Sequence, residues 1–175
     1  IAIGFKWRSS DSWRDQFKKS TRKIYLRFIG YSDNSNVIEW RCKRLHIYGG
    51  SKFEESASIL QKPDGNYIVT GTTFSTDFNI SSNNGQADVW LLELDQQGNI
   101  LWEKTHGGVD DEWAVSTKLL ADGSLITVSS SSTYQDDYSD NHGDADVALY
   151  HTTSFGDLLW KRLYGGFMAD YPADI

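Results

Sequence analysis

The stretch "ILWEKTHGG", residues 100–108, returns as "LLWKRLYGG" at residues 158–166, with the tryptophan, a basic residue two places on and the glycine pair all in register. The offset of the two tryptophans extends along the chain. Gly49 and Gly50 fall on Gly107 and Gly108, and these on Gly165 and Gly166. Glu54 falls on Glu112 and then Asp170, Asp64-Gly65 on Asp122-Gly123, Gly85 on Gly143, and Asp88-Val89 on Asp146-Val147. So many coincidences at one offset define an internal repeat, and an internal repeat decides architecture before any single motif does.

Each unit reads as four short strands. "SASILQK" and "NYIVTGTT" flank Pro63-Asp64-Gly65, where proline presets the first turn dihedral and glycine takes the left-handed conformation that closes a hairpin. Ala121-Asp122-Gly123 repeats the device between "AVSTKLL" and "SLITVSS". In "DVWLLELDQQGNILWEK", Val89 and Leu91 alternate with Trp90, Leu92 and Leu94, so both faces of the strand are apolar and both expect a cover. Residues 46–175 hold no helical stripe. A four-stranded unit with two apolar faces cannot bury them alone and must stack on its neighbours. The expectation is an all-β chain, a β-propeller fragment of four-stranded antiparallel blades, with Trp102 and Trp160 filling the wedge between adjacent sheets. The glycine pairs would serve sharp turns or close backbone approach.

The units divide the chain into a divergent partial blade at residues 1–45, blade repeats at 46–103 and 104–161, and the start of a further repeat at 162–175. The first segment differs in chemistry as well. It carries eleven Lys or Arg against four acids, whereas residues 46–175 carry six against twenty. Its "IAIGFKWRSSD" matches "YIVTGTTFSTD" weakly, and "KIYLRFI" matches "DVWLLEL". A competing reading makes residues 12–23 a short helix with Trp13 and Phe17 one turn apart. The acidic part lacks the clustered cations that phosphate neutralisation requires; the basic "RDQFKKSTRK", with Trp7, Trp13 and Phe17 nearby, could in principle supply them, but a basic stretch is more often a solvated surface, so no nucleic-acid partner is expected. No run of about eighteen apolar residues is present to suggest a membrane span. The lone Cys42 makes no internal disulfide.

The combination of tryptophan, four residues, Gly-Gly, three residues, an acid, "DGNYIVTGTTFSTD", a Ser/Asn/Gly loop and "DVWLLELDQQGN" resembles the short bacterial β-propeller repeats of secreted and surface proteins of the Bacteroidota. The resemblance implies secretion or cell-surface attachment, remaining blades in a longer chain, and a non-enzymatic scaffold that presents loops to a glycan or protein ligand. The alternative it leaves open is a carbohydrate-active propeller hydrolase or lyase with its active site in other blades.

Candidate site residues are few. Phe74, Phe78, Tyr134 and Tyr138 lie near the polar loops and could stack on sugar rings. Those loops, residues 75–87 and 133–145, are dense in Asp and Asn, and Asp136, Asp137 and Asp140 are the oxygen donors a calcium ion would take. No cofactor is expected beyond that calcium. His106 occupies a position held by Tyr48 and Tyr164 in the flanking units, which calls for a flat ring beside the glycine pair and not for a metal ligand. Glu54, Glu112 and Asp170 recur at one offset, so each should make a backbone or turn contact once per unit. No residue is singled out as catalytic.

Overall fold

Turns closed by glycine set the strand lengths. A computed structural model of the chain describes residues 24–32, 39–134 and 141–175, with side chains from residue 46 onward. At the 62–66 turn the Gly65 N–H donates to the Lys62 carbonyl (2.9 Å) and the Lys62 N–H to the Asn66 carbonyl (2.8 Å), with Gly65 at a φ of 88°. Asp64 Oδ1 accepts the Asn66 N–H at 2.9 Å and holds the turn from its side. The same closure recurs at Gly98 and Gly123.

Among the described residues the fold is all-β. A hairpin of β1 (Ile24–Ser32) and β2 (Glu39–Tyr48) comes first. Next comes a sheet of β3 (Glu54–Gln61), β4 (Tyr67–Thr73), β5 (Asp88–Leu94) and β6 (Ile100–His106). A second sheet holds β7 (Glu112–Leu119), β8 (Leu125–Ser131), β9 (Asp146–Thr152) and β10 (Leu158–Tyr164). Neighbours in sequence are neighbours in each sheet, and every pairing within the sheets is antiparallel. The irregularities repeat as well. A bulge between Ser56 and Ser58 in β3 has its counterpart between Ala114 and Ser116 in β7. Trp102 and Trp160 pair with Glu93 and His151 just beside a second repeated register shift. Residues 24–29 of "KIYLRFI" fall on β1 and Glu39-Trp40 on β2. Residues 12–23, the site of the competing helical reading, lie outside the described residues.

Strand β5 is buried on both faces, as its two interleaved apolar sets require. Trp90, Leu92 and Leu94 join Tyr48, Tyr67, Val69 and Ile80 in one cluster. Val89 and Leu91, on the opposite face, join Ala148, Tyr150 and Leu163, with Trp102 and Ala114 packed against them. The second cluster therefore draws on both sheets. Strand β7 lies against β3, β4 and β5. Thr70 donates to Thr117 Oγ1 (2.7 Å) in the buried layer, and the Ala114 N–H donates to Thr72 Oγ1 (3.0 Å). Trp102 fills part of this junction, its Nε1 donating to Glu93 (2.7 Å) and its ring lying where a Cβ on Gly156 would collide with it. The equivalent Trp160 is 40% exposed, on a face that no described residue covers to the same extent.

Candidate functional site at the loop edge

The starts of β3, β5 and β7 and the ends of β4, β6 and β8 converge on one edge, where the glycine pairs and the polar loops also lie. One acid per unit organises it. Glu54 accepts the Gly50 N–H (3.1 Å), the Thr73 hydroxyl (3.2 Å) and the Ser75 hydroxyl. Glu112 accepts the Gly108 N–H, the Ser131 hydroxyl and the Thr133 hydroxyl, each at 2.6 Å. Asp170, a methylene shorter and exposed, accepts the Gly166 N–H at 2.8 Å. The recurring acid thus fastens the glycine pair to the strand that follows.

The polar loop 75–87 is engaged in the same work. Asp77 Oδ1 accepts the Ser51 N–H (2.7 Å) and Asn79 Oδ1 the Gly49 N–H (3.2 Å). Asn83 Oδ1 accepts the Gly85 N–H (2.9 Å), and its amide donates to the Thr73 carbonyl (3.0 Å). Asn141 repeats both contacts with Gly143 and Ser131. The loop then reaches the next unit: the Gln86 N–H donates to the Asp110 carbonyl, the Glu112 N–H to the Ala87 carbonyl (2.6 Å), and Ala87 and Asp111 form a parallel bridge. No group of three or more metal-ligating His, Cys, Asp or Glu occurs among the described residues. Asp136, Asp137, Asp140 and Tyr138 lie outside the described residues.

The glycines follow from this crowding. Gly49 has a φ of 142°, and a side chain on Gly107 would overlap both Asp88 and Glu112. A side chain on Gly165 would meet Asp146 and Asp170 in the same way. Asp88 is fully buried, and burial pushes its carboxyl up to about 6; the Asn84 N–H works against the shift and the Glu112 charge adds to it. Burial also raises Glu112, opposed by hydrogen bonds from Ser131, Thr133 and Gly108.

The ring position joins units. The Tyr48 hydroxyl donates to the Gly98 carbonyl (2.6 Å), and His106 Nε2 meets the Gly156 carbonyl at 2.9 Å, one repeat later. Burial lowers the His106 ring from the ordinary histidine value, which favours the neutral ring, and that ring donates from Nε2 to the carbonyl. Ser124, His151 and Asp122 form a set that imitates a nucleophilic triad. Its order is wrong for one: the Ser124 hydroxyl donates to Asp122 (2.6 Å), so His151 Nε2, 2.9 Å from the same oxygen, cannot be taking that proton.

The aromatic candidates separate. Phe78 and Tyr134 stand apart in solvent, at 85% and 63% exposure, whereas Phe74 is edge-on to Phe53 and to Trp113, each with ring centroids 5.7 Å apart. Phe53 and Trp113 close the triangle at 6.4 Å. Sequence reasoning missed Phe53 and Trp113. A signal existed, because the repeat replaces Phe53 by Asp111 and Phe74 by Ser132 one unit on, and Trp113 stands where the preceding unit has Glu55. The Trp113 position keeps a ring one unit on, as Tyr171, so Phe53 and Phe74 are the two aromatics that the next unit does not repeat. No family model matches the chain, and no match was found among curated proteins.

Proposed function

We propose that the chain is a β-propeller repeat scaffold of the secreted or surface-attached bacterial type, non-enzymatic, with its loop edge serving as a binding surface for a glycan or protein ligand. Successive four-stranded sheets joined by one set of contacts, with bulges, acid and ring position all repeating, support the propeller reading.

The observation that carries the binding reading is the Phe53, Phe74 and Trp113 group. It lies at the loop edge between the two sheets, Trp113 is 38% exposed, and the following unit keeps a ring only at the Trp113 position, as Tyr171, with Asp111 and Ser132 in place of Phe53 and Phe74. Aromatic surface that stays partly wet offers stacking area to sugar rings or apolar side chains. The test is a glycan array run with the intact chain, followed by calorimetric titration of any binder. Replacement of Trp113 by alanine is expected to weaken binding at least tenfold, about 1.4 kcal/mol, while the far-UV spectrum stays that of a folded β protein. A binder whose affinity is the same for Trp113→Ala would refute the assignment of this surface.

A further inference from the structure

We infer that Asp88 and Glu112 form a proton-sharing carboxyl pair that makes the junction between the two sheets sensitive to pH. Asp88 opens β5 in the first sheet and Glu112 opens β7 in the second, so the pair spans the connection. Their oxygens Asp88 Oδ1 and Glu112 Oε2 share the space that one methyl on Gly107 would fill. The Ala87–Asp111 bridge and the hydrogen bond from the Glu112 N–H to the Ala87 carbonyl run beside them. Two buried carboxylates this close repel each other unless one is neutral.

The hydrogen bonds say which one takes the proton. Glu112 receives three donors, from Gly108, Ser131 and Thr133, and these favour its ionised form. Asp88 Oδ2 receives the Asn84 N–H at 2.7 Å, but Oδ1 is buried with no partner. A proton taken from solvent by Asp88 Oδ1 converts that unpartnered acceptor into a donor toward Glu112 Oε2, which removes the repulsion and satisfies the buried atom together. Other charged groups bear on the pair: Asp111 beside Glu112 in the connection, with its own Oδ1 buried and unpartnered, and Lys161 of β10, whose positive charge favours ionised Glu112.

The sign follows from linkage. A carboxyl that binds its proton more tightly in the closed junction contributes stability in full below its ordinary value, and that contribution is lost as pH rises through the closed-state value. Acidification therefore tightens this junction. The test uses the intact chain in two measurements. In a carbon-detected NMR titration the Asp88 carboxyl should titrate near 6; a midpoint at or below the ordinary aspartate range would overturn the proposal. In hydrogen exchange, protection of the Glu112 amide, corrected for intrinsic exchange, should fall about tenfold between pH 5 and pH 7.5, given a closed-state value of about 6 and an open-state value of about 3.9. Asp88→Asn, which keeps shape and supplies an amide donor to Glu112, should make that protection flat over the same range. A flat wild-type response, or an equal fall in Asp88→Asn, contradicts the shared proton, and the wild-type titration decides the matter even if the variant does not fold.

Discussion

Replacing Glu112 by alanine removes the acceptor of three buried or half-buried donors at once: the Gly108 N–H and the hydroxyls of Ser131 and Thr133. A buried donor left without a partner costs about 1–3 kcal/mol. The two hydroxyls can rotate toward other acceptors, but the Gly108 N–H is fixed by the backbone. Removing a buried carboxylate beside Asp88 also relieves repulsion and desolvation, which offsets part of the loss. The net expectation for Glu112→Ala is about 2–4 kcal/mol. For a chain of this length that lowers the melting temperature by about 5–15 °C. Glu54→Ala should behave alike, because Glu54 accepts the equivalent three donors. Asp170→Ala should change little, since the exposed Asp170 accepts the Gly166 N–H alone among the side-chain contacts seen for the other two. The assay is urea unfolding followed by tryptophan fluorescence at pH 7 for the three variants side by side. Equal losses for Asp170 and Glu112, or a Glu112 loss under about 1 kcal/mol, would refute the reasoning that these acids act through the donors they satisfy.

The paired tryptophans should part company: Trp102→Ala, which opens a gap against Gly156 and the second core cluster, is expected to cost about 2–4 kcal/mol, and Trp160→Ala under about 1, by chemical denaturation. His106→Tyr installs the residue that Tyr48 and Tyr164 provide at the equivalent positions. The depressed His106 value means that its neutral ring supports the fold above the ordinary histidine range, and that support is lost as pH falls through the folded-state value. The variant should therefore gain stability over wild type at pH 5 more than at pH 8, measured by paired thermal melts; a larger gain at pH 8 contradicts the assignment.

Much of the fold was legible because its determinants are local or periodic. Pro63-Asp64-Gly65 and Asp95 to Gly98 announce turns through backbone preference, and those turns form. Val89 to Leu94 announces a strand with two covered faces, and each face joins a different cluster. The recurring acids announced a backbone contact made once per unit, and its partner is the glycine N–H; the ring position announced a flat side chain, but not that Tyr48 and His106 each reach a turn carbonyl of the neighbouring sheet. The loop chemistry was less legible. Composition shows that residues 75–87 carry many side-chain oxygens, but not that Asp77 and Asn79 have backbone N–H groups of the preceding turn to accept. Nor does it show that Phe53, twenty-one residues from Phe74, and Trp113, in another sheet, meet at one place. The Asp88–Glu112 pair was hidden for the same reason, since their approach depends on how the two sheets stack.

The central claim is that successive four-stranded units stack through one repeated set of contacts, and nuclear Overhauser contacts in the intact chain test it most directly. The account predicts cross-peaks from the Trp102 indole to Gly156 and from the His106 ring to Tyr150, whose ring centroids lie 5.9 Å apart. Their absence from a spectrum that retains the cross-strand peaks of both sheets would mean that the sheets form without stacking this way, and would contradict the account.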